Sequence, residues 1–142
     1  MNTSILLKSS AVLWIVWGLV HLLFGVMIII GDAASGIQAI ANAVELPKIN
    51  YPDALGAIMN QHGWNLVWFG VVTAVGGVFI WKGNITAIWL SAMIGGLADL
   101  GYFIFLDLGG HVKFVPGTVM TIIALAAILL SFTAYFQNKS SS

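Results

Sequence analysis

Four stretches of the chain, roughly 11–30, 63–81, 85–106 and 114–136, are apolar almost without interruption. Each is long enough to cross a hydrocarbon core, which takes about 20 residues at about 1.5 Å of rise apiece. Between the first two, "SGIQAIANAVELP" places Ile37, Ile40, Ala41 and Val44 at i, i+3, i+4 and i+7. That spacing predicts a short amphipathic helix, ended by Pro47 and suited to the membrane interface. Leu55, Ile58, Met59 and His62 then repeat the pattern. Pro52 suits a first helical turn and Asp53 its positive end, so the second helix is expected to begin about two turns before its span. Lys82, Gly83 and Asn84 leave room only for a tight turn, which makes spans two and three an antiparallel hairpin.

Composition fixes the solvent. Of 142 residues, 60% are hydrophobic and 7% charged. A water-soluble chain this short could not bury so much apolar surface and would aggregate. The first span follows Lys8 and precedes Ala33-Ala34-Ser35, the arrangement of a signal peptide, but its apolar run is longer than the usual 7–15 residues and reads as a retained span. The expected fold is all-α: one integral membrane domain over 1–142, a four-transmembrane-helix bundle with a short interfacial helix in its first loop. There is no arginine, which removes the forked donor for phosphate and speaks against nucleic-acid partners. Without cysteine, thiolate metal sites and cysteine nucleophiles are excluded.

Charge sets the expected orientation. An even number of spans puts Lys8, Lys82 and Lys139 on one side, and Lys48 and Lys113 on the other among Asp32, Glu45, Asp53 and Asp107. By the positive-inside rule both termini are cytoplasmic, here in a bacterial inner membrane. Trp14, Trp64, Trp81, Tyr135 and Phe136 fall near span ends, where an interfacial aromatic belt would place them.

The candidate chemistry lies in the few polar residues at membrane depth. His21 sits near the middle of span one, Asp99 roughly 10 Å from the outer end of span three, Tyr102 one turn further out, and His62 and Asn65 in the first outer turns of span two. An ionised Asp inside a span costs about 2.5–3.5 kcal/mol on insertion scales, so Asp99 should be protonated or paired, with His21 its nearest partner in depth. Ser91, Ala92, Gly95 and Gly96 before Asp99, and Gly18 and Gly25 around His21, would let helices approach closely on those faces. Gly63 beside His62 leaves room for a ligand. The same polar groups also serve as interhelical glue, worth about 0.6–2 kcal/mol per contact, with no chemistry attached. His111 reads as a loop residue, and the tryptophans as belt and packing. A metal held by His21, His62 and Asp99 requires three helices to converge, and their depths argue against it, whereas an axial imidazole for haem needs only one histidine.

Four short spans, a long first loop, His62 at the start of span two and "GYFIF" at Gly101 to Phe105 together resemble the DoxX-like class of small bacterial membrane proteins and, more distantly, styrene oxide isomerase. The second resemblance implies that His62 ligates haem b, whose ferric iron acts as a Lewis acid on an epoxide oxygen, with Tyr102 and an asparagine positioning the substrate. The family places that asparagine about two turns after the histidine; Asn65 is one turn away. The expectation is a membrane protein, a homo-oligomer, that binds a small hydrophobic molecule or haem in an outer-half polar pocket and isomerises a small apolar substrate, with Asp99 as a proton relay. The alternatives are an accessory or immunity-type protein that binds a partner helix, and proton-coupled transport.

Overall fold

The structure is a computed structural model and describes residues 2–41 and 51–140. Every regular element among them is helical: α1 (Thr3–Ile30), α2 (Ala33–Ala41), α3 (Asp53–Trp81), α4 (Ile85–Tyr102) and α5 (Val119–Ser140). α4 continues through a widened, π-type turn at Phe103–Asp107, and α5 is preceded by a second at Phe114–Thr118, broken by extended backbone at Val115. With these turns, four segments are long and apolar enough to cross a membrane: Thr3–Ile30, Asp53–Trp81, Ile85–Asp107 and Phe114–Lys139. Two of the expected boundaries lie close to these. α1 starts earlier than its apolar run, because the Asn2 side chain caps it by accepting from the Ser4 amide at 2.9 Å. α3 starts at Asp53, directly after Pro52, as the sequence predicts.

α2 is the helix expected in the first loop. Asp32 caps it, its carboxylate accepting from the Ser35 amide at 2.7 Å. Ile37 and Ile40 belong to it, while Val44 and the predicted stop at Pro47 lie outside the described residues. The α3–α4 turn ends one helix and starts the next in three residues. Gly83, at φ +80°, occupies the left-handed position that ends α3, the Asn84 amide donates back to the Phe79 carbonyl at 3.0 Å, and the Gly83 amide to Ile80 at 2.8 Å. The Asn84 side chain then caps α4 by accepting from the Ala87 amide at 3.0 Å.

α1 packs along α3 over most of its length and against α5, and α4 packs on α3 and α5. Small residues set the α1–α3 contact. A Cβ added at Gly18 would collide with the Gly70 main chain, at Gly25 with Gly63, and at Gly77 with Ala11. The pairs 11–77, 18–70 and 25–63 advance by seven residues along both helices in opposite directions, the repeat of antiparallel helices with a slight left-handed wrap. On the other side of α1, the Ser10 hydroxyl donates to the Ala127 carbonyl at 2.7 Å. The buried core, with Trp14, Trp17, Ile80, Ile88 and Ala124 among its members, occupies the middle and the end near the α3–α4 turn.

One belt assignment is overturned here. Trp14 is fully buried, its ring seated on Gly95 of α4, because a glycine at that position leaves a recess that only a large flat side chain fills. Trp64 and Trp81 are exposed, as a belt requires.

Candidate functional site

At the end away from the α3–α4 turn the helices part around a cavity of about 330 Å³. Each long helix supplies one wall: Val20, His21 and Phe24 from α1, His62, Leu66 and Phe69 from α3, Asp99, Tyr102 and Phe105 from α4 and its wide turn, and Pro116, Gly117 and Met120 from α5 and the wide turn before it. Ala39 and Ile40 of α2 complete the lining. His21, His62, Asp99 and Tyr102 therefore share one apolar cavity, although they come from three helices. Asp99 and Tyr102 lie one turn apart on the same face of α4, so a carboxyl and a phenol stand on one wall and two imidazoles on the others.

The carboxyl's partner is not the one expected. Asp99 is 6% exposed, and its Oδ2 accepts from the indole Nε1 of Trp17 at 3.0 Å. His21 is tied to the same tryptophan in two other ways. Its Nδ1 lies 2.8 Å from the Trp17 carbonyl oxygen, and its ring stacks on the indole with centroids 3.6 Å apart. A carbonyl oxygen can only accept, so Nδ1 carries the hydrogen and Nε2 is left with its lone pair. Trp17 is fully buried and stands behind the cavity wall rather than in it. Sequence reading grouped it with packing tryptophans; the available signal was its spacing, one turn before His21.

The wide turns hold the far rim. The Thr118 hydroxyl donates to Asp107 Oδ1 at 2.5 Å, and Thr121 approaches Oδ2 at 3.5 Å, tying the end of α4 to the start of α5. Widened helical turns are frequent where a site must be shaped, and this one directly follows Tyr102.

Two further expectations change. Asn65 is outside the cavity, its side-chain oxygen accepting from Trp68 Nε1 at 3.3 Å on the same helix. Gly63 makes no room for a ligand, since it faces the Gly25 carbonyl and the side chains of Ile28 and Ile29. The α1–α3 register brings His21 and His62 to one cavity with an axial offset of about 7 Å, within the separation their depths imply. That offset is still too large for shared coordination, and among the described residues no three His, Asp or Glu side chains are placed to hold a metal ion. His111 is exposed and outside the cavity, as read from the sequence.

Haem fits poorly. His62 supplies one imidazole at the cavity, but at about 330 Å³ the space is at the low end of the range for small-molecule sites. Among the described residues no lysine lines it to meet the propionates, and the chain has no arginine.

Comparison with protein-family models, with curated proteins and with solved structures finds no match to this chain.

Proposed function

We propose that the protein is a polytopic four-helix bundle of a bacterial inner membrane, both termini cytoplasmic, that takes a small apolar molecule with one oxygen function from the bilayer and isomerises it by proton transfer. The observation that carries this reading is the meeting of His21, His62, Asp99 and Tyr102 in one cavity whose other walls are apolar. Its volume is at the lower end of the range for small-molecule sites, which selects a molecule of one or two rings. α2 lies across its end as an interfacial helix would.

The chemistry follows from the two kinds of wall. His21 Nε2 is an acceptor and takes a proton from carbon, while Tyr102 and Asp99 meet the substrate oxygen on which charge develops. For a ketone with a neighbouring double bond, the C–H electron pair moves into the conjugated system, the oxygen is held at the α4 wall, and the imidazolium returns its proton two carbons away. Formula and oxidation state are unchanged, so no co-reactant is needed. The resemblance to styrene oxide isomerase bears on Tyr102 alone, as the phenol that positions the substrate, since the haem it implies at His62 fits poorly and Asn65 has no part in this site. A partner-helix role has less support, because the polar groups point into a cavity rather than outward.

Two probes test the reading: cyclohex-3-enone, whose conjugation is followed by ultraviolet absorbance, and styrene oxide, whose aldehyde isomer is followed by chromatography. At Gly101 an added side chain meets open space, and this residue lines the cavity. Gly101→Leu is expected to fold normally and to abolish probe binding and turnover. Binding that survives Gly101→Leu unchanged places the ligand elsewhere and overturns the proposal.

A further inference from the structure

We infer that Trp17 is a positioning residue that makes Asp99 and His21 one acid–base unit; the inference rests on the proton-transfer reading above. Three separate contacts converge on this single side chain and its own peptide group. The indole N–H holds Asp99 Oδ2, the carbonyl oxygen holds His21 Nδ1–H, and the indole face covers the imidazole. None of the three is a contact that generic packing requires. Trp14, one turn earlier and equally buried, has an indole nitrogen with no hydrogen-bond partner among the described residues.

The consequence is a defined division of roles. One carboxyl oxygen is committed to Trp17, leaving Oδ1 as the atom Asp99 presents to substrate. His21 is held in the Nδ1–H tautomer, leaving Nε2 as the base. The stack fixes the imidazole plane, so its lone pair is aimed rather than free to turn about χ2. Trp17 touches no substrate, because it stands behind the wall; it acts through the two residues that do. The same contact makes its indole proton a reporter of the state of Asp99.

Full-length protein in lipid nanodiscs, labelled with ¹⁵N at tryptophan and histidine, tests this without any substrate. The indole resonance missing from Trp17→Phe is expected at low field, to remain there in Asp99→Asn, whose amide oxygen still accepts, and to move to high field in Asp99→Leu. His21 is expected to show a protonated Nδ1 and a bare Nε2. An indole shift indifferent to Asp99→Leu, or a His21 ring protonated at Nε2 alone, overturns the inference. Turnover of cyclohex-3-enone supplies the functional arm. Trp17→Phe keeps an aromatic ring and the main-chain carbonyl while removing the N–H and part of the ring, so it is expected to lower kcat per folded molecule about tenfold with KM unchanged, the loss of one hydrogen bond to a reacting group. A proportional fall in folded protein with unchanged kcat per folded molecule marks a merely structural role and overturns it. If wild-type protein turns over neither probe while the resonances behave as expected, the proton-transfer reading fails and the positioning of the pair stands.

Discussion

The carbonyl oxygen of Gly63 in α3 lies 2.6 Å from where a Cβ on Gly25 of α1 would have to be. Two main chains in such contact gain dispersion along their length and exclude side chains between them, which is how helices associate where lipid removes the hydrophobic driving force. Gly25→Ala and Gly18→Ala are therefore expected to destabilise the protein by about 1–3 kcal/mol each. Gly56→Ala, in the same helix as Gly63 but with nothing within 4 Å of its added Cβ, is expected to stabilise by about 0.5–1 kcal/mol. Denaturant unfolding in detergent separates the two; similar losses at Gly25 and Gly56 would show that helix separation does not limit stability.

Replacing Asp99 discriminates polarity from shape. Asp99→Asn keeps an oxygen for the Trp17 indole, whereas Asp99→Leu strands that N–H in an apolar interior. The Leu variant is expected to be less stable than the Asn variant by about 1–3 kcal/mol. Thermal unfolding of the two side by side is the measurement, and equal midpoints would remove Trp17 as a significant partner.

Ser91 and Ser10 are both fully buried hydroxyls with opposite circumstances. Ser91 Oγ lies against Gly76 with no hydrogen-bond partner among the described residues, while Ser10 Oγ donates to Ala127. Ser91→Ala is expected to be neutral or stabilising, and Ser10→Ala to cost about 0.5–1.5 kcal/mol. The reverse order in an unfolding assay would mean that Ser91 has a partner, such as a buried water.

Orientation is tested by single cysteines in a chain that has none. Lys8 lies 5.5 Å from the Trp81 ring, so the start of α1 and the end of α3 are at the same end of the molecule. Cysteine at Asn84 or Asn138 is expected to resist a membrane-impermeant thiol reagent in intact cells, and cysteine at Ala54 to react. Labelling at Asn84 with protection at Ala54 reverses the proposed topology.

The four apolar segments were legible because their length is a solvent requirement, and the α3–α4 turn because Gly83 and Asn84 have few other uses. The burial of Asp99 followed from its cost in lipid. Its partner did not, because choosing between His21 and Trp17 depends on which face of α1 turns toward α4, and an apolar helix with few polar residues leaves that rotation almost unmarked. The seven-residue spacing of Gly63, Gly70 and Gly77 against Ala11, Gly18 and Gly25 was present in the sequence and would have fixed the α1–α3 register. With it, His21 and His62 come to the same cavity despite their separation in depth. Asn65 misled because polarity alone does not say which flank of a helix a residue occupies.

The glycine seam also sets where the helices are held most closely together. With main chains in contact at three levels, α1 and α3 hold together along their length, and the short link at Lys82 to Asn84 lies at the far end from the cavity. Under the proposed function, a molecule arriving from the bilayer would enter at the rim, where the clasp between Asp107 and Thr118 joins the end of α4 to the turn before α5. Opening that rim would displace acyl chains, so under that reading the ease of admission depends partly on the lateral pressure of the surrounding lipid.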